Sequence, residues 1–210
     1  VIGLGGGSSM DVAKAIAVLA SGTQVLPELY GVDKVTGGRL PLVLIPTTAG
    51  TGSEVTPVAV ITTGETTKAG ISAIALLPDV AILDAELTVG LPLHVTAMTG
   101  IDAMVHAIEA YTSKIKKNPI SDMLSRQALK LLAGNQRRVL SHPTDLQARE
   151  AMLLGATLAG QAFANAPVAA VHALAYPLGG HYHMPHGLSN ALMLPSVLRF
   201  NAVASEAQYL

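Results

Sequence analysis

The chain has 210 residues, half of them hydrophobic but only 3% aromatic, with a formal net charge of −1 and no cysteine. That length holds one sizeable core or two small domains. The composition excludes disulfides, Fe–S clusters and thiolate zinc sites, and with no Lys/Arg run longer than two it gives no electrostatic footprint for nucleic acid.

The elements read in chain order as follows. Residues 1–4 are a buried apolar strand with neither the basic start nor the cleavage site of a signal peptide. Ser8 to Leu19 is predicted helical, because Val12, Ile16 and Leu19 recur at helical spacing; Ser8 with Asp11 has the spacing of an acidic capping box. Further strands are predicted over 40–46, 55–62 and 80–84. Continuous apolar strands alternating with helix point to a parallel sheet with helices on its faces. From about Leu91 the texture turns helical. Asn118-Pro119 opens a helix expected to stop near Gly134-Asn135, and Thr144 with Gln147 opens another that runs toward Asn165. After Pro167 a helix carrying His172 is expected to end between Pro177 and Gly180, and a last one starts at His186. The expected layout is an α/β unit over 1–90 and an all-helical unit over 91–210. No apolar run reaches the roughly 20 residues of a membrane span. The chain begins at a strand and stops within a helix, which predicts a piece of a longer protein.

Two loops suggest a nucleotide. GlyGlyGlySerSerMetAsp (5–11) joins a strand to a helix start, where glycines and an electropositive helix end suit an anion. It is neither a Walker A loop nor a strict G-x-G-x-x-G, and a plain strand-to-helix turn is the alternative reading. ProThrThrAlaGlyThrGlySerGluVal (46–55) also follows a strand. Two such loops at neighbouring strand ends can form one crevice for a phosphate-bearing cofactor.

A second constellation suggests a metal. Asp102 and His106 stand at i and i+4, with Glu109 on nearly the same face, among Ala, Met, Val and Ile. A buried charge without a partner is costly, so a bound cation would account for Asp102. His172 lies in an equally apolar helix, and His186 at a Pro-His-Gly start. One oxygen and three nitrogens suit Fe(II) or Zn(II) better than Mg or Ca.

Together these segments resemble the iron-containing (group III) alcohol dehydrogenases, in GGGSSMDVAKA, PTTAGTGSEVT, LLPDVAILD, TGIDAMVHAIEAY, NPISD and VHALAYPLGGHYHMPHGLSNALMLP, along nearly the whole chain. The resemblance implies a Rossmann-like dinucleotide-binding part followed by an all-helical metal-binding domain, the dehydroquinate synthase-like superfold. It implies Asp102, His106, His172 and His186 as metal ligands. It places Gly6, Gly7, Ser8 and Asp11 near the pyrophosphate and ribose, lines the nucleotide crevice with Thr47, Thr48, Thr51 and Ser53, and matches Lys68 to a lysine reaching the ribose. Some members carry a histidine of proton movement where this chain has Tyr176; His181 and His183 are then the other candidates for that path. The activity implied is hydride transfer between a small alcohol or aldehyde and NAD or NADP in a cytoplasmic homo-oligomer with no membrane or nucleic-acid partner. Alternatives are a glycerol dehydrogenase or dehydroquinate-synthase-like enzyme, a metal-assisted hydrolase without a dinucleotide, and an inactive truncated domain.

Overall fold

A computed structural model describes residues 1–64 and 67–209. The first strand, β1 (Ile2–Gly5), turns at Gly5 and Gly6 into helix α1 (Gly7–Leu19). Gly6, extended at φ −76° and ψ −174°, is the N-cap, and Ser8 lies exposed in the first turn. This corrects the expected Ser8–Asp11 capping box. Asp11 is drawn elsewhere: its carboxylate accepts from Ser53 Oγ at 2.7 Å and from the Val60 amide at 2.9 Å.

After β2 (Gly31–Val32) the chain forms β3 (Val43–Pro46), which pairs in parallel with β1, Ile2 opposite Val43. On its other side β3 pairs in parallel with the two-residue β6 (Val80–Ala81), shorter than the 80–84 expected. The apolar run at 55–62 divides. Ser53–Val55 is a 3-10 turn, and only Val58–Thr62 is strand (β4). Pro57 between them has no N–H to give a ladder. β4 pairs antiparallel with β5 (Lys68–Ser72), a strand without a strong sequence signal, and β5 pairs in parallel with β2. The parallel order is thus β1–β3–β6, and the run expected to join it sits in a second, mixed sheet of order β2–β5–β4. α1 packs on β1 and β3 through Met10, Ala13 and Ala17 against Leu42 and Leu44.

Five helices follow: α2 (Leu93–Thr112), α3 (Pro119–Ser141), α4 (Leu146–Asn165), α5 (Ala170–Tyr182) and α6 (His186–Tyr209). Asn118 caps α3, accepting from the Ile120 and Ser121 amides at 3.0 Å. α3 does not stop at Gly134-Asn135 but runs on to Ser141, with Asn135 Nδ2 bonded back to the Leu131 carbonyl at 2.9 Å inside the helix. The cap of α4 is Asp145, which accepts from the Ala148 amide, one residue after the expected Thr144. α5 continues through Pro177 to Tyr182, beyond the expected stop, and ends at His183 in the left-handed region (φ 53°). The core between α2, α3 and α4 is built largely of Ala103, Ala107, Ala128, Ala148, Ala156 and Ala159 around Leu132 and Met152. Small side chains let helices approach closely, which brings α2 with its polar face deep inside the protein. No helix among the described residues is long and apolar enough to cross a membrane.

Candidate active site

Asp102, His106 and Glu109 occupy successive turns of one face of α2, and all three are buried. α5 presents His172 to this face, and the first turn of α6 presents His186. Ligand atoms of Asp102, His172 and His186 all lie within 4.8 Å of one another. Asp102 Oδ1 is 3.8 Å from His172 Nε2 and 3.6 Å from His186 Nε2. His106, the fourth expected donor, is not in that tight set. Its ring stacks between His172 (centroids 4.6 Å) and Phe163 (4.5 Å), and its buried Nδ1 has no hydrogen-bond partner among the described residues.

Glu109 acts on the set without joining it. Its carboxylate accepts from His172 Nδ1 at 2.7 Å and from the amides of Ala169 (2.9 Å) and Val171 (2.6 Å). Burial pushes this carboxyl up, but the hydrogen bonds from His172 and the two amides outweigh it and hold it below the usual glutamate range. A carboxylate only accepts, so His172 carries its proton on Nδ1 and turns the Nε2 lone pair toward Asp102 and His186. Burial lowers His106 to about 4 against the partial opposition of Asp102. His186 is lowered too, first by burial, with His172 and Lys68 adding to it and Asp102 opposing. Both rings are therefore neutral at neutral pH and keep a lone pair free for a ligand bond. One carboxylate and neighbouring imidazoles form a donor set that fits a divalent transition metal.

His186 faces a cleft of about 400 Å³ between the mixed sheet and α5. Lys68, Val60 and Gly70 line one side, and Ala175, Tyr176 and Met184 the other. The Tyr176 ring stacks on His186 at 5.8 Å. Burial, reinforced by the charges of Asp102 and Glu109, raises its hydroxyl above the usual tyrosine value, so it stays protonated near neutral pH. His181 and His183 are exposed and are not among the residues lining the cleft; the structure does not bring them to the donor set.

The glycine turn and the threonine loop, expected to bind a cofactor, meet. A Cβ on Gly7 would lie 2.8 Å from Thr51 Cγ2, and one on Gly6 would touch Thr48 at 3.4 Å. The Thr47 amide donates to the Gly5 carbonyl at 2.9 Å. Ser8 is exposed at the start of α1, Thr47, Thr48 and Thr51 are half-buried beside it, and Ser53 is buried on Asp11. The threonine loop also reaches the helices: a Cβ on Gly50 would collide with Thr99 of α2, and one on Gly52 with the backbone of Gly160 in α4. One loop therefore touches both the glycine turn and the helix that carries Asp102.

Sequence reasoning missed Asn190. It sits one helical turn after His186, is fully buried, and points its amide at the donor set. The i, i+4 spacing from His186 was the available signal. It also missed buried Lys14, whose Nζ donates to the carbonyls of Thr56 (2.9 Å) and Val58 (2.7 Å) at the base of the threonine loop.

Comparison with known proteins agrees along the whole length. Residues 1–85 match the model of the family described as iron-containing alcohol dehydrogenase, and residues 96–210 match that of the Fe-containing alcohol dehydrogenase family, C-terminal. The long-chain-alcohol dehydrogenase 1 of Geobacillus thermodenitrificans is 50% identical over 203 residues, covering 95% of this chain and 51% of that protein. The probable alcohol dehydrogenase EutG of Escherichia coli is 45% identical over 210 residues, all of this chain and 53% of its own. Among solved structures, that of a 1,3-propanediol oxidoreductase superposes with a TM-score of 0.93 at 45% identity, covering 97% of this chain and 53% of the other. A sulfoacetaldehyde reductase from Bifidobacterium kashiwanohense in complex with NAD+ superposes at 0.90 with 38% identity, over 95% and 54%. The chain thus spans about half the length of the curated relatives it matches. With a family model on each half and identities of this size, the chain belongs to the iron-containing alcohol dehydrogenase family.

Proposed function

We propose that this chain supplies the metal-donor set and part of the nucleotide crevice of an NAD(P)-dependent dehydrogenase acting on small alcohols and their aldehydes or ketones. The observation that carries the reading is the buried set of Asp102, His172 and His186, with His186 opening on the cleft that Lys68 and Tyr176 line. Residues 1–90 are the dinucleotide-binding part in this reading, and 91–210 the metal-binding part. Asp102, His172 and His186 hold Fe(II) or Zn(II), with His106 as the fourth donor from the adjacent stack. A bound divalent ion supplies positive charge that acidifies an alcohol hydroxyl or polarises a carbonyl. NAD(P) supplies the hydride acceptor.

The chain's own residues prepare that chemistry. Glu109 fixes the tautomer of His172, and burial keeps His106 and His186 neutral. The turn at Gly6 and Gly7 presents the α1 amides to a pyrophosphate, and Thr48 and Thr51 close its other side. Lys68, exposed in the cleft, would serve the ribose side of the cofactor in this reading. Val60, Ala175 and Met184 give the cleft apolar walls that suit an uncharged substrate. Tyr176 is a hydrogen-bond donor to the substrate oxygen rather than a base, because its hydroxyl keeps its proton.

The test uses the full-length protein purified without chelator, compared with His172→Ala. Metal content, NADH fluorescence and oxidation of a panel of short alcohols are measured together. Bound Fe or Zn, lost in the variant while NADH binding persists, is the expected result. A parent protein that binds NADH and turns over alcohol with no divalent ion would overturn the role given to the donor set. Failure to bind either would overturn the whole reading.

A further inference from the structure

Within the donor set, one side chain touches all three converging atoms and is itself neither acidic nor basic. Asn190 Nδ2 donates to Asp102 Oδ1 at 2.6 Å and lies 3.2 Å from His172 Nε2 and 3.3 Å from His186 Nε2. The side chain is wholly buried, and its Oδ1 has no hydrogen-bond partner among the described residues. A carboxylate oxygen and two imidazole lone pairs so close together repel one another, unless a donor or a cation stands among them. Glu109 has already fixed His172 as an acceptor at Nε2, so a donor is what this point requires. The amide offers two hydrogens to three acceptors, and can share them without adding charge. Leaving its oxygen orphaned is a cost that the convergence of the three acceptors on its hydrogens offsets.

We propose that Asn190 is a positioning residue: its amide gathers Asp102, His172 and His186 into the geometry that a divalent cation takes over. It is one helical turn from His186 on α6, so the same helix supplies both a donor and the group that aims it. This inference rests on reading those three residues as metal donors.

The test is a Co(II) titration of the full-length protein, following the d–d absorption of the bound ion and competing with a chelator, together with thermal melting with and without Co(II). Asn190→Leu removes the amide at similar volume. It leaves the three acceptors facing one another in the metal-free protein, so it is expected to bind Co(II) several-fold more tightly than the parent, the cation relieving a repulsion the amide otherwise relieves. Asn190→Asp keeps the shape but sets a second carboxylate against Asp102. It is expected to melt lower than the parent without metal and to gain more than the parent when Co(II) is added. Asn190→Leu with parental affinity would reduce Asn190 to core packing. If Asn190→Leu fails to fold, the Asn190→Asp melts decide: a metal-free melting point equal to the parent's overturns the proposal. A parent that binds no Co(II) sinks the metal reading and this inference together, whereas a parent that binds while both variants match it sinks only the role of Asn190.

Discussion

Glu109 shows how much of the site is decided by single atoms. All three groups that approach its carboxylate are donors: His172 Nδ1 and the amides of Ala169 and Val171. Glu109→Gln keeps the size but offers one acceptor oxygen and an NH2 that must face a donor. The relief open to His172 is to move its proton to Nε2, which removes the lone pair from the donor set. Metal affinity of the full protein is therefore expected to fall about 10- to 100-fold, measured by chelator competition, with little change in NADH binding. A Glu109→Gln protein with unaltered affinity would show that the tautomer is set by something else. The acidic and imidazole residues of this site were legible in the sequence because titratable groups stand out in an apolar helix. The division of labour among them was not. Spacing alone put Asp102, His106 and Glu109 on one face, but only the arrival of α5 and α6 separates a donor, a stacked ring and an orienting carboxylate. Asn190 was overlooked because an uncharged amide does not stand out among titratable groups; only its i, i+4 spacing from His186 pointed to it.

At the scale of elements, the same contrast holds between local and long-range causes. β1, α1 and β3 were placed within a few residues because the glycine turn is a local signal, but the faces were misread: Val12 and Ile16 of α1 and Ile2 and Leu4 of β1 are exposed, and Met10, Ala13 and Ala17 do the packing. The mixed sheet was not. β5 depends on pairing with β4 and β2, and β4 begins only after Pro57. Helix α3 runs past Gly134-Asn135 because tertiary packing overrides weak breakers. What joins α1 to the β4 edge is Lys14, fully buried, with its ammonium on two carbonyls and the charges of Asp11 and Glu54 nearby. Burial lowers its pKa to about 8, with Asp11 and Glu54 opposing. The sign of the pH effect follows from linkage. Between pH 8 and the ordinary lysine value of 10.5 the unfolded chain binds more protons than the native one, so this group makes stability rise with pH across that window. The full excursion is of order 3 kcal/mol. Lys14→Met should abolish that rise. It should also lower stability at pH 7 by about 2–4 kcal/mol, because the Thr56 and Val58 carbonyls lose their donor and the buried Glu54 and half-buried Asp11 lose their cation. Denaturant melts of parent and variant at pH 7, 8 and 10 measure both effects, and parallel pH profiles for the two proteins would refute the assignment.

For the whole molecule, the proposed function depends on holding a nucleotide crevice made of strands against a metal-donor set made of helices. The threonine loop is the joint, and its tightest point is Gly52 against Gly160. Gly52 has φ +61°, and a Cβ there would lie 2.5 Å from the Gly160 Cα, so backbone meets backbone with no flexible side chain to yield. Gly134, on α3, has nothing within 4 Å of the position a Cβ would take. The same glycine-to-alanine change should therefore have opposite signs at the two places. Gly134→Ala should stabilise by about 0.5–1 kcal/mol, since alanine loses less entropy than glycine in a helix interior. Gly52→Ala pushes the loop off α4 and forces a left-handed alanine, at a cost of about 2–4 kcal/mol. Because Thr51 rests on Gly7, that shift also disturbs the glycine turn, so NADH binding should weaken several-fold. The donors on α2, α5 and α6 are not moved by it, so the d–d spectrum of bound Co(II) should stay as in the parent. A Gly52→Ala protein that lost metal and NADH together would mean that the two halves of the site fold as one unit. One that lost neither would remove the threonine loop from its role as the joint.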